Sequence, residues 1–149
     1  MIIKISNKEK EIAEEIRAIF QASYTVEAKM LKAVDFPPLK RTVAQFLKSD
    51  SEFYAYYLIK NIEGVIEIEN DEGLTHIQSL VVYPKYFRKG IGRKLVQFIL
   101  DTYKSSIFTV ETGVENIPAV ELYKSFDFEE KDRWDTNHGV IKVRFKKII

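Results

Sequence analysis

Leu80-Val81-Val82-Tyr83-Pro84-Lys85-Tyr86-Phe87-Arg88-Lys89-Gly90-Ile91-Gly92-Arg93-Lys94-Leu95 decides how the rest of the chain is read. It passes from an apolar strand through a proline-marked turn and a basic, glycine-bearing loop into an amphipathic helix. That order builds an anion site. Glycine lets backbone come close to a ligand. The free N–H groups and positive dipole end of the new helix then point at a phosphate. Arg88, Lys89, Arg93 and Lys94 add positive charge around the same turn. The bland alternative is an ordinary strand-to-helix turn on a basic surface. The stretch predicts a phosphorylated ligand at the end of a strand.

Outward from this loop, Ile91, Leu95, Phe98, Ile99 and Thr102 recur at i, i+4, i+7, i+8 and i+11, which predicts a helix over Gly90–Tyr103. Ser106–Thr112 is an apolar strand. Strand, helix and strand over this length make a right-handed βαβ unit, so Ser106–Thr112 should run parallel to Leu74–Val82. Upstream, Glu52–Lys60, Val65–Asn70 and Leu74–Val82 read as an antiparallel meander, with turns at Asn61–Gly64 and Asp71-Glu72-Gly73. Met1–Ser6 alternates like a short strand. Lys8 to about Val34 reads as helix with Ile12, Ile16, Ile19, Phe20 and Ser23 on one face. The β-branched Thr25-Val26 marks a break in it. Asp35-Phe36-Pro37-Pro38-Leu39 is a rigid linker to a short helix at Lys40–Lys48. Downstream, Asn116 or Glu115 caps a helix to about Ser125, with Pro118 tolerated in its first turn. Phe128–Trp134 and Val140–Lys146 close the chain as a hairpin. The expectation is an α+β fold, one domain over residues 1–149, with a mixed central sheet of about seven strands flanked by about four helices.

Composition narrows the function. The 149 residues are 46% hydrophobic, enough for a sizeable core. Lys plus Arg number 23 against 22 Asp plus Glu, which argues against a general nucleic-acid binder. A local basic cluster suits a small anionic ligand better. The absence of cysteine excludes disulfides, a thiol nucleophile and Cys-ligated zinc. His76 and His138 do not form a metal-spaced pair, so no metal is expected. No signal-peptide pattern or membrane-length apolar run is seen, and a cytoplasmic location is the expectation.

Two motifs then carry a resemblance. One is Val82-Tyr83-Pro84 followed by Gly90-Ile91-Gly92. The other is Asn116-Ile117-Pro118-Ala119-Val120-Glu121-Leu122-Tyr123, of the form Asn-x-x-Ala-x-x-Leu-Tyr. In this order and spacing, Leu74–Phe128 resembles the GNAT superfamily of acetyl-CoA-dependent N-acetyltransferases. The family's loop is Gln/Arg-x-x-Gly-x-Gly/Ala. Phe87 stands at its first position, which removes one side-chain contact to phosphate but leaves the backbone cradle. Asp127 replaces a glycine at the end of the later helix, and Asp enters left-handed conformations more readily than most residues.

The resemblance implies that Arg88, Lys89, Gly90, Ile91, Gly92 and Arg93 hold the pyrophosphate of acetyl-CoA. It implies that the strands 74–82 and 106–112 splay near Val82, and that the pantetheine pairs there with backbone at Leu80 and Val82. Asn116 and Ala119 belong to the cofactor-contacting helix start. Tyr123 is the implied general acid for the departing thiolate, against the alternative of a core tyrosine. A base on the strand leading into the loop would fall near His76. Glu67, Glu69 and Glu111 are the other candidates, each with a solvated strand face as the alternative. Tyr24, Glu27, Asp35, Phe36, Tyr54, Tyr56 and Trp134 are candidate lining of an acceptor pocket. The acidic members point to a cationic acceptor, and the aromatic ones are equally readable as core.

The expected activity is transfer of an acetyl group from acetyl-CoA to a primary amine of a small molecule or protein. Without cysteine, attack is direct in a ternary complex, with a backbone N–H near Val82 facing the developing oxyanion. The alternative is an inactive acyl-CoA-binding sensor or interaction module. No nucleic-acid or membrane partner is expected. A homodimer would form if Val140–Lys146 lay at a sheet edge.

Overall fold

Sheet pairing follows from the short connections read above, and a computed structural model describes residues 1–149. The strands are β1 (Ile2–Ile5), β2 (Glu52–Leu58), β3 (Asn61–Asp71), β4 (Leu74–Val82), β5 (Ile107–Gly113), β6 (Glu129–Asp135) and β7 (Ile141–Ile148). The helices are α1 (Lys10–Leu31), α2 (Val43–Lys48), α3 (Ile91–Thr102) and α4 (Ile117–Ser125). They build one 7-stranded sheet in the order β1-β2-β3-β4-β5-β7-β6. β4 and β5 run parallel through the α3 crossover, and every other neighbouring pair is antiparallel. The mixed α+β sheet flanked by helices is thus the architecture expected from the sequence.

Alternation sorts the core to two faces. Ile66, Ile68, Ile77, Phe108, Val110, Val143 and Phe145 cluster with Ile91, Leu95, Val96 and Ile99 of α3 and Tyr123 of α4. Phe53, Ala55, Val65 and Val81 cluster instead with Ala13, Ile16, Ile19 and Phe20 of α1 and Phe46 of α2. Gly64 is where α3 meets the sheet. A Cβ there would stand 2.8 Å from Ile91 and 3.1 Å from Leu95, so only glycine lets the helix lie this close.

Several boundaries differ from the sequence reading. α1 runs unbroken through Thr25-Val26, because the Thr25 hydroxyl donates to the Gln21 carbonyl at 2.6 Å and sits within the turn. It ends at Leu31 because Lys32 turns left-handed at φ 54°. Asn61–Gly64 belongs to β3 and is not a turn; Leu58 pairs directly with Asn61, so the reversal falls at Ile59-Lys60. Pro37–Lys40 forms a 3-10 turn, and α2 starts only at Val43, behind a capping box between Thr42 and Gln45. Nor is Val140–Lys146 an edge strand. β7 lies between β5 and β6, where Val143 and Phe145 are buried, and the charged β6 takes the edge. No helix is long and apolar enough to cross a membrane.

Candidate active site

The loop after β4 is built from backbone. A 3-10 turn at Pro84–Tyr86 leads to Arg88 in a left-handed conformation (φ 64°) and Gly90 at φ 79°. The first main-chain bond of α3 is Lys94 N–H to Gly90 C=O at 3.0 Å. No backbone N–H from Arg88 to Arg93 has an acceptor in the protein, and from Gly90 onward the first turn of the helix requires this. A Cβ built at Gly90 meets nothing within 4 Å, so the main chain there faces open space. Arg93 is drawn aside to Ser125 at 2.9 Å, and Lys89 lies 5.5 Å from the Tyr86 ring. This donor set fits a pyrophosphate.

β4 and β5 then separate. Their pairing runs from Leu74–Ile107 to Ile77–Val110 and stops. From there to Val82 the side of β4 facing β5 has no strand partner. The gap thus opens well before Val82, the position expected from the sequence. Gln78 is an extra residue at this point, since Ile68 pairs with Ile77 while Glu67 pairs with Ser79. The bulge leaves Ile77 with the α3 core and turns Ser79 toward α1.

A cleft of about 750 Å³ lies at this fork. It is lined by Tyr24 and Glu27 of α1, Phe36 and Pro37, Ser79 and Leu80 of β4, Glu111 of β5, Asn116, Ala119 and Tyr123, and Trp134 and His138. Asn116 shows why these segments meet. Its Oδ1 accepts from Ala119 N–H at 3.3 Å and caps α4, while its Nδ2 donates to Glu27 Oε1 at 2.5 Å. Tyr123 is buried against Phe128 and Phe145, at 5.8 and 6.2 Å between ring centroids, yet reaches the cleft. No protein atom accepts from its hydroxyl. Burial, then the nearby Tyr24 and Glu27, hold Tyr123 well above the ordinary tyrosine range. Burial and Glu27 raise Tyr24 likewise. Both phenols stay protonated at neutral pH. Burial also lifts Glu27 above the usual carboxylate range, with Asn116 and Lys142 pulling it back.

Tyr24, Glu27, Phe36, Trp134, Leu80, Asn116, Ala119 and Tyr123 are thus brought together, and Asp35 sits just outside, paired with Lys40 at 2.9 Å. Other expectations are corrected. Tyr54 and Tyr56 lie on the α3 face of β2: the Tyr54 hydroxyl meets that of Tyr103 at 3.1 Å, and Tyr56 stands beside Lys94. Neither lines the cleft, because alternation along β2 gives the α1 face to Phe53 and Ala55. His76 lies where β4 and β5 are still paired, with Nδ1 2.7 Å from Thr109 Oγ1. Glu67 is buried, and Arg41 holds both its oxygens at 2.7 and 2.8 Å while Ser79 donates to it at 3.0 Å. Glu69 is the cross-strand partner of His76 and also lies off the cleft. Glu111 lines the cleft but pairs with Lys142 at 3.8 Å.

Sequence reasoning missed Ser79 and Arg41. A small polar residue at an inward strand position was a signal for Ser79. Arg41, stacked 4.2 Å over Phe46, carried none.

Known proteins resemble this chain in sequence and in fold. A family model described as an acetyltransferase (GNAT) domain matches residues 20–149. UPF0157 protein YqkA of Bacillus subtilis (strain 168) is 33% identical over 142 residues, covering 95% of this chain and 41% of that protein. An N-alpha-acetyltransferase of Sulfolobus acidocaldarius is 39% identical over 59 residues, covering 37% of this chain and 35% of that one. The chain therefore spans less than half the length of these curated relatives. The crystal structure of the ribosomal-protein-S18-alanine N-acetyltransferase from Escherichia coli superposes with a TM-score of 0.78 at 17% identity, covering 100% of this chain and 93% of that one; it shares the fold. The protein belongs to the GNAT acetyltransferase family.

Proposed function

We propose that this GNAT-family member transfers the acetyl group of acetyl-CoA to a primary amine, on a small molecule or a protein, by direct attack in a ternary complex. We take residues 1–149 as one acyltransferase domain. One observation carries the reading. The free edge of β4 beyond Ile77 runs from a cleft holding Tyr123 to a loop of unpartnered N–H groups. Relatives named for N-acetyl transfer support the amine as acceptor.

Arg88, Lys89, Gly90, Ile91, Gly92 and Arg93 would hold the pyrophosphate through main-chain N–H groups, with the positive end of α3 behind them. Leu80 and Val82 would pair with the pantetheine amides as an added strand does. Ala119 lies at the start of α4 beside that path. Acetyl-CoA supplies the activated acyl thioester. Phe36 and Trp134 would shape the acceptor side with Tyr24 and Glu27.

Tyr123 would donate to sulfur as the thiolate forms. Its raised pKa keeps that proton in place before reaction. In water a thiolate, whose thiol has a pKa of ~8.5, is too weak a base to take it. The same dry surroundings raise the thiolate's basicity along with the phenol's, and the proton shed by the acylated nitrogen returns to Tyr123, so no phenolate persists.

The test is thiol release from acetyl-CoA by the folded protein, with a panel of peptides bearing free α-amines and a set of polyamines. Saturable release with one class is the expected result. No release with any amine, by protein that binds acetyl-CoA, overturns the transfer reading.

A further inference from the structure

Glu27 differs from the other charged groups at the cleft. Lys40 pairs with Asp35 at 2.9 Å, Arg41 with Glu67 at 2.7 Å and Lys142 with Glu111 at 3.8 Å. Glu27 makes no ion pair. Its hydrogen bond is to the Asn116 amide at 2.5 Å, which occupies Oε1 and leaves Oε2 without a protein partner. Asn116 is fixed in turn, because its Oδ1 caps the helix that carries Tyr123. The carboxylate is therefore held in the cleft that Tyr123 also lines. Facing it are Tyr24 from α1, Tyr123 from α4 and Lys142 from β7, whose charge is shared with Glu111 of β5.

We infer that Glu27 is the general base, which takes the proton from the acceptor's ammonium group in the cleft. The inference rests on the transfer reading above. An ammonium with a solution pKa of ~10.4 must lose a proton before it can attack. A half-buried carboxylate that is in no ion pair attracts that ammonium, and burial brings its basicity closer to neutrality. His76 and Glu67 cannot share the task from outside the cleft, since Thr109 holds the first and Arg41 and Ser79 hold the second.

The protons balance. The ammonium gives one proton to Glu27, which passes it to solvent. The amine lone pair forms the C–N bond, and the C–S bond breaks with its electron pair on sulfur. Sulfur takes the Tyr123 proton, and the proton shed by the acylated nitrogen restores Tyr123. Amide, free thiol and one released proton are the products.

Glu27→Gln is the informative change, because its amide oxygen still accepts from Asn116. In the ligand-free protein, carbon-13 NMR should show one carboxyl titrating above the ordinary ~4.3, missing from the variant. Calorimetry should show acetyl-CoA affinity unchanged. On any amine that wild type turns over, the variant should lose roughly 10²–10⁴ in kcat/KM together with the acidic limb of the pH profile. Glu27→Asp should recover part of both. Turnover by Glu27→Gln at the wild-type rate with an unchanged profile overturns this inference and leaves the transfer reading standing. A wild type that binds acetyl-CoA and acylates no amine overturns both.

Discussion

Between Arg88 and Arg93 the molecule presents main chain; around Glu27 it presents side chains gathered from distant segments. The first region is continuous in sequence, and its geometry follows from one glycine and one helix start. The second is assembled by α1, the 3-10 turn, the fork of β4 and β5, α4 and the last hairpin, each supplying one or two groups. A backbone cradle tolerates side-chain change and suits a ligand common to a whole family. A side-chain cleft changes with each substitution and suits an acceptor particular to this protein.

Substitutions should separate the two regions. Tyr123→Phe is expected to have the largest effect on chemistry, a fall of roughly 10²–10⁴ in turnover with acetyl-CoA affinity kept. Steady-state rates alongside calorimetry read both. Equal loss of binding and rate would place Tyr123 with the cradle instead. Arg41→Met leaves the buried Glu67 carboxylate uncompensated and should cost about 3–5 kcal/mol of stability. Denaturant unfolding measures it, and a loss below about 1 kcal/mol would mean that Glu67 finds another donor.

Gly64→Val pushes on Ile91 and Leu95 and should destabilise by about 1–3 kcal/mol. Because Ile91 opens α3, acetyl-CoA affinity should fall in the same variant, although residue 64 is not in the loop. A stability loss with affinity intact would show that the cradle holds its shape independently of α3 packing.

The smallest expected effect is on pH. Glu27 has a raised pKa in the folded protein, so the folded state binds that proton more tightly than the unfolded chain. The associated stability is complete below the unfolded value of ~4.3 and is lost as pH rises through the folded value. Glu27→Gln removes a charge that opposes folding at high pH only. Its melting temperature should match wild type near pH ~4 and exceed it by a few degrees at pH ~8. The opposite order would mean that Lys142 stabilises the carboxylate by more than burial opposes it.

What was legible in the sequence follows the same division. The loop, α3 and the Asn116–Tyr123 helix were readable because local rules govern them: a glycine, an N-cap, an apolar period. The acceptor side was not. Nothing near Glu67 announces that Arg41, on a separate turn, will lock both its oxygens. His76 was placed by counting back from Val82, and a bulge at Gln78 ends that count early. Tyr54 and Tyr56 were assigned by residue type, whereas strand parity sends them to the α3 face. Gly64 was read as a turn former because glycine usually marks one; a helix packed on its Cα was the actual requirement. No residue of Val140–Lys146 decides from sequence alone between an edge and an inner place, and the buried Val143 and Phe145 put β7 inside.

Calorimetric titration of the purified protein and of Gly90→Val with acetyl-CoA tests the account most directly. Gly90 holds φ 79°, a region a β-branched residue enters only with strain, and its open face is where the phosphate should lie. Saturable binding by wild type, weakened about tenfold or more in the folded variant, is the expected result. Equal affinities, or no binding by folded wild type, would contradict the claim that this backbone is a cofactor cradle.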